Sequence, residues 1–147
     1  MDNDRNEFQK LVPAKVDAYK DIESKNKYIK SLRDKLLLGL IQIPDTYING
    51  ILDDRIVNNL NISFKRVDSE ALLLLLDLDG ICVSSGSACA SGSSEPSHVL
   101  EAINTSKEYI YNSIRFSLSE DNTIEDVDYV IDSVTKNVMK IRKLQKG

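Results

Sequence analysis

The sequence predicts an α+β fold: a small antiparallel or mixed sheet of about three strands, covered by helices mainly on one side, behind a long N-terminal linking helix. Three observations carry this. A helical spacing of apolar residues runs from Pro13 to Ile43. Two short stretches, 61–64 and 113–117, alternate apolar and polar residues as half-buried strands do. An inward-facing apolar stripe then closes the chain, behind a capping signal at Thr123 to Asp126.

Residues 1–12 are polar and are expected to be a flexible N-terminus, with 13–147 forming one domain. From Pro13, Val16, Tyr19, Ile22, Ile29, Leu32, Leu36 and Leu40 recur at steps of three, four or seven and share one helix face. The helix is expected to stop near Ile43, because the residue before Pro44 avoids the helical region. Tyr47 and Ile48 form a candidate edge strand, and Asn61 to Phe64 a half-buried one. Asp68 is placed to cap a helix over Ser69 to Leu76, after which Leu78 to Val83 reads as a second full strand, with Cys82 a small buried hydrophobe within it. A helix is expected over Pro96 to Ile103, with a short turn over Ser106 to Tyr111. In the strand Ser113 to Ser117, Ile114 and Phe116 share one face and Arg115 takes the other. The last helix directs Val127, Val130, Ile131, Val134, Val138, Ile141 and Leu144 inward.

Composition excludes several function classes. The 19 Lys and Arg against 23 Asp and Glu leave a net charge of −4, which argues against a general nucleic-acid binder. The longest apolar run, Ala71 to Leu76, is far too short to cross a membrane, and Met1 to Asp4 is unlike a secretory signal, so a cytoplasmic address is the default expectation. Two cysteines, Cys82 and Cys89, with one histidine cannot close a four-ligand zinc site, and no metal centre is expected.

The most distinctive stretch is Ser84 to Ser94, SSGSACASGSS, in which a single thiol, Cys89, sits in a run of Ser, Gly and Ala. Such a segment has little apolar surface to bury and reads as a mobile tether between a strand and a helix start. With the continuation through Glu95-Pro96-Ser97-His98 to Leu100, and Asn112-Ser-Ile-Arg-Phe-Ser-Leu118 downstream, it closely resembles the active-site cysteine loop and the substrate-arginine segment of cysteine desulfurases, pyridoxal-phosphate enzymes of the class V aminotransferase group. The resemblance runs from about Val12 to the C-terminus, and covers only the C-terminal small domain of such an enzyme of fold-type I.

That resemblance implies a catalytic role for Cys89, whose thiolate takes sulfur from L-cysteine as a persulfide and passes it to a scaffold protein of iron–sulfur cluster assembly or another acceptor, with a transient cluster ligand as a further role. It implies that Arg115 clamps the substrate carboxylate, a task suited to a planar pair of donors. His98 is close to the motif, but the family histidine that stacks on the cofactor belongs to the large domain. No segment resembles the cofactor lysine motif, so pyridoxal phosphate is expected in the intact family enzyme and not on this chain alone. A separate large domain is then an implied partner, and the family enzymes are homodimers. A sulfur-carrier or docking module, an inactive remnant and a selenocysteine lyase remain as alternatives.

Overall fold

The computed structural model describes residues 2–50, 57–85 and 111–146, with side chains from residue 18 onward. Among these residues three helices, α1 (Asp2–Leu40), α2 (Ser69–Leu78) and α3 (Ile124–Gln145), accompany a four-stranded sheet of β1 (Thr46–Ile48), β2 (Asn59–Phe64), β3 (Ser84–Ser85) and β4 (Ser113–Ser117). The strand order is β1-β2-β4-β3 and every pair is antiparallel, with β1 the edge strand read at Tyr47 and Ile48. The backbone is already helical at Asp2, within the stretch expected to be flexible.

The strands follow the alternation read from the sequence. Leu60, Ile62 and Phe64 of β2 and Ile114 and Phe116 of β4 are buried on one face, and register pairs Leu60 with Phe116 and Ile62 with Ile114. Against them pack Leu32, Leu36 and Leu40 of α1, Leu72 and Leu76 of α2, and Val127, Val134, Val138 and Ile141 of α3. Each such side chain contributes about 1.5–3 kcal/mol by leaving water. The expected inward stripe of α3 fails at one position, Leu144, which is 72% exposed because the helix has by then run past the core.

The start of α3 is fixed as predicted. Thr123 Oγ1 accepts from the Asp126 N–H at 3.1 Å, and Asp126 Oδ2 accepts from the Thr123 N–H at 2.9 Å, a complete capping box. Asp68 likewise caps α2, accepting from the Ala71 N–H at 2.9 Å.

The strand expected over Leu78 to Val83 is overturned. Helix α2 continues through Leu78 and ends in a Schellman motif, in which Gly80 at φ +80° lets its N–H reach the Asp77 carbonyl at 3.0 Å and the Ile81 N–H reach the Leu76 carbonyl at 2.8 Å. The chain cannot become extended until that turn is complete, so β3 is only Ser84–Ser85. The helix predicted over 96–103 and most of the turn over 106–111 lie outside the described residues. No described helix is long and apolar enough to cross a membrane.

Candidate active site

The face of the sheet turned away from the helices is polar. Alternation that buries Ile114 and Phe116 puts Ser113, Arg115 and Ser117 on this side, and β2 adds Asn59, Asn61 and Ser63. Arg115 stands at its middle, opposite Asn61 on β2 and opposite Ser84 on β3. It is exposed and its side chain makes no hydrogen bond or ion pair with any described residue, unlike those of Arg33, Arg66 and Arg142, each of which has a partner. A guanidinium left unpaired among neutral side chains is ready to receive an anion, and its planar donor pair matches a carboxylate.

The neighbours of Arg115 are ordered among themselves. Asn49, one residue after β1, donates from Nδ2 to Asn61 Oδ1 at 2.9 Å and to Ser63 Oγ at 2.7 Å, while its backbone N–H donates to the Asn61 carbonyl at 2.9 Å. Ser117 Oγ donates to Asn59 Oδ1 at 3.1 Å. Sequence reasoning passed over Asn49 and Asn61. The polar phase of the alternation marks Asn61 as facing outward, but its place opposite Arg115 depends on a register that the sequence does not display.

Of the other residues read from the sequence, Cys89 and His98 lie outside the described residues, so Cys89 and Arg115 are not seen together. Ser85, the residue after the Cα partner of Arg115, is four positions before Cys89 in sequence. Cys82, expected to be buried, is exposed and free, because the turn after α2 carries it outside the sheet. It lines a cleft of about 370 Å³ together with Ile81, Phe116, Leu118, Asp126 and Tyr129. Phe116 and Leu118 place this cleft on the helix side, across the sheet from Arg115.

No group of three or more potential metal ligands occurs among the described residues. The described lysines sit on α1, on or just after α3, or, in the case of Lys65, just past the end of β2. None belongs to a strand and none lines the cleft beside Cys82.

The chain is similar to known proteins over most of its length. The class-V aminotransferase family matches residues 14–130. Cysteine desulfurase IscS of Methanosarcina thermophila is 47% identical over 124 residues, which is 84% of this chain and 31% of that protein. Cysteine desulfurase IscS of Methylobacillus flagellatus is 45% identical over 127 residues, 86% of this chain and again 31% of the relative. Among solved structures, a NifS-like protein from Rickettsia africae superposes with a TM-score of 0.67 at 31% identity, over 80% of this chain and 30% of that one. Another NifS-like protein gives 0.68 at 29% identity, over 84% and 30%. The chain thus spans about three-tenths of the length of the relatives it matches, and the likeness to cysteine desulfurases read from the sequence holds. With that match taking in most of its length, the chain belongs to the class-V aminotransferase family.

Proposed function

We propose that the chain is the C-terminal small-domain part of a pyridoxal-phosphate-dependent cysteine desulfurase, in which Arg115 holds the carboxylate of L-cysteine and Cys89 takes its sulfur. The observation that carries this reading is the position of Arg115: unpaired with any described side chain and exposed at the centre of a polar sheet face, on the strand beside β3, whose last residue lies four positions before Cys89. Cys89 comes four positions after Ser85, a covalent span of no more than about 14 Å, so the sequence keeps the thiol on a short lead from the clamp.

The chemistry asked of the two side chains is complementary. Arg115 fixes the substrate by an end that does not react, and so spends binding energy on orientation. The Cys89 thiolate attacks the substrate sulfur. A sulfur–sulfur bond forms as the carbon–sulfur bond breaks, and the carbon skeleton keeps the electron pair and takes a proton to become alanine. The product on the protein is a persulfide, which an acceptor thiol, such as that of an iron–sulfur cluster assembly protein, then removes by attack on its outer sulfur. Pyridoxal phosphate would supply the electron sink, held by a large domain outside this chain.

The test joins this chain with a pyridoxal-phosphate-binding large domain and supplies L-cysteine. Alanine should be released, accompanied by sulfide when a thiol reductant is added, and without reductant mass spectrometry should find one extra sulfur on the wild-type chain and none on Cys89→Ser. Equal loading of the two proteins would sink the assignment of Cys89. Replacing Arg115 by Lys keeps the charge and loses the fork, and should raise KM for L-cysteine by about 10-fold or more, in line with the 1.5–3 kcal/mol typical of hydrogen bonds to charged groups.

A further inference from the structure

The geometry points to Asn61 as a second donor to the carboxylate held by Arg115, with Asn49 as the residue that turns the Asn61 amide to face it. This rests on the reading of Arg115 given above and adds to it the means by which the anion is recognised. Asn61 and Arg115 are direct partners across β2 and β4 and project from the same face, so their Cβ atoms are about 4.5–5.5 Å apart, within reach of one small anion.

An asparagine beside an arginine can serve in two opposite ways. With Oδ1 toward the guanidinium it accepts from Arg115 and occupies the donors that substrate needs. With Nδ2 toward the ligand it adds a donor of its own. Here the choice is made by Asn49, whose Nδ2 carries two hydrogens and directs one to Asn61 Oδ1 at 2.9 Å and the other to Ser63 Oγ at 2.7 Å. The Asn49 backbone N–H is itself tied to the Asn61 carbonyl at 2.9 Å, so the donor side chain is fixed at its root. With its oxygen engaged, Asn61 keeps an Nδ2 that bonds to no described residue, next to a guanidinium that bonds to none either. A carboxylate offers about four lone-pair sites, of which a bidentate arginine uses two, so a third donor has an acceptor to meet. The ligand class is therefore a small molecule with a free α-carboxylate.

The experiment titrates the isotopically labelled full chain with L-alanine, which carries the carboxylate and no thiol, and uses L-alaninamide as the control. Nuclear magnetic resonance should show the Arg115 Nε–H and the Asn61 Nδ2 signals moving together and saturably with L-alanine and neither moving with alaninamide. Asn61→Ala should weaken L-alanine binding about three- to tenfold, the effect of losing one hydrogen bond. Asn49→Ala leaves every ligand-facing group in place, yet should weaken binding about two- to threefold and diminish the Asn61 shift, with a dispersed spectrum showing that the variant is folded. If the Arg115 signal moves while Asn61→Ala binds as wild type does, this inference is overturned and the Arg115 reading stands. If the Arg115 signal does not move at all, both are overturned.

Discussion

Asp79, at the C-terminal end of α2, accepts from Ser133 Oγ at 2.6 Å and from Asn137 Nδ2 at 2.9 Å, both on α3, and its backbone carbonyl accepts from the Tyr129 hydroxyl at 2.7 Å. The Ser133 and Asn137 hydrogen bonds, helped by Lys136 and Lys140, hold its carboxyl below the ordinary 3.8, against a smaller opposing effect of burial. A carboxylate whose pKa is lowered by folding stabilises the protein above its unfolded pKa and loses that contribution as pH falls through the folded value. Asp79→Asn should therefore lower Tm at neutral pH, and the gap from wild type should close below about pH 3.8, as thermal melts across pH will show. Arg142 is another polar residue that joins distant segments. It is buried, and it donates to the carbonyls of Pro44 at 2.7 Å, Lys65 at 3.0 Å and Asp45 at 3.2 Å. Burial and the nearby Arg66 charge lower its pKa, with Asp45 opposing. Arg142→Leu leaves those carbonyls without their donor and should cost about 2–4 kcal/mol in urea denaturation. The loss reaches both turns at once, since Asp45 and Arg66 each hold a left-handed backbone at φ 56° and 62° beside this guanidinium.

At the scale of elements, α1 and α3 meet where Gly39 faces Ile131. A Cβ on Gly39 would stand on Ile131 Cδ1 and only 2.7 Å from its Cγ1, so the two helices approach closely because that side chain is missing. Alanine is worth roughly 1 kcal/mol more than glycine within a helix, yet overpacking costs about 1–3 kcal/mol, so Gly39→Ala should be net destabilising. The same change made in an Ile131→Ala background should instead stabilise, and a double-mutant cycle measures the difference. Thr123→Ala removes half of the capping box of α3 and should cost about 1 kcal/mol by the same assay. Both devices set the position of α3, which together with α1 covers the buried side of β2 and β4 and so keeps Arg115 turned the other way.

At the scale of the whole molecule, α1 is divided by burial. Its last two turns carry Leu36 and Leu40 in the core, whereas Tyr19 and Ile22, which the sequence pattern puts on the same face, are 69% and 53% exposed. The exposed part is held near Lys25 and Tyr28, through an ion pair to Glu120 at 3.0 Å and a hydrogen bond to the Asn122 carbonyl at 2.7 Å. Hydrogen exchange should therefore be fast over 18–24 and slowest over 32–40, and equal protection along the helix would contradict this division. The α+β class, the helix stripes, both N-caps and the phase that exposes Arg115 were legible in the sequence because each depends on neighbours within a few positions. The C-terminal end of α2 was misread: the strand expected over Leu78 to Val83 took in Asp79 and Gly80, which form the turn that ends α2, because the apolar residues around that turn imitate a strand. What the folded chain alone decided was which strands lie side by side. The Asn61–Arg115 and Ser84–Arg115 pairs, the Asn49 contact and the three carbonyls under Arg142 join residues far apart in sequence, and local propensity carries no record of which distant segment completes a hydrogen bond or fills a core.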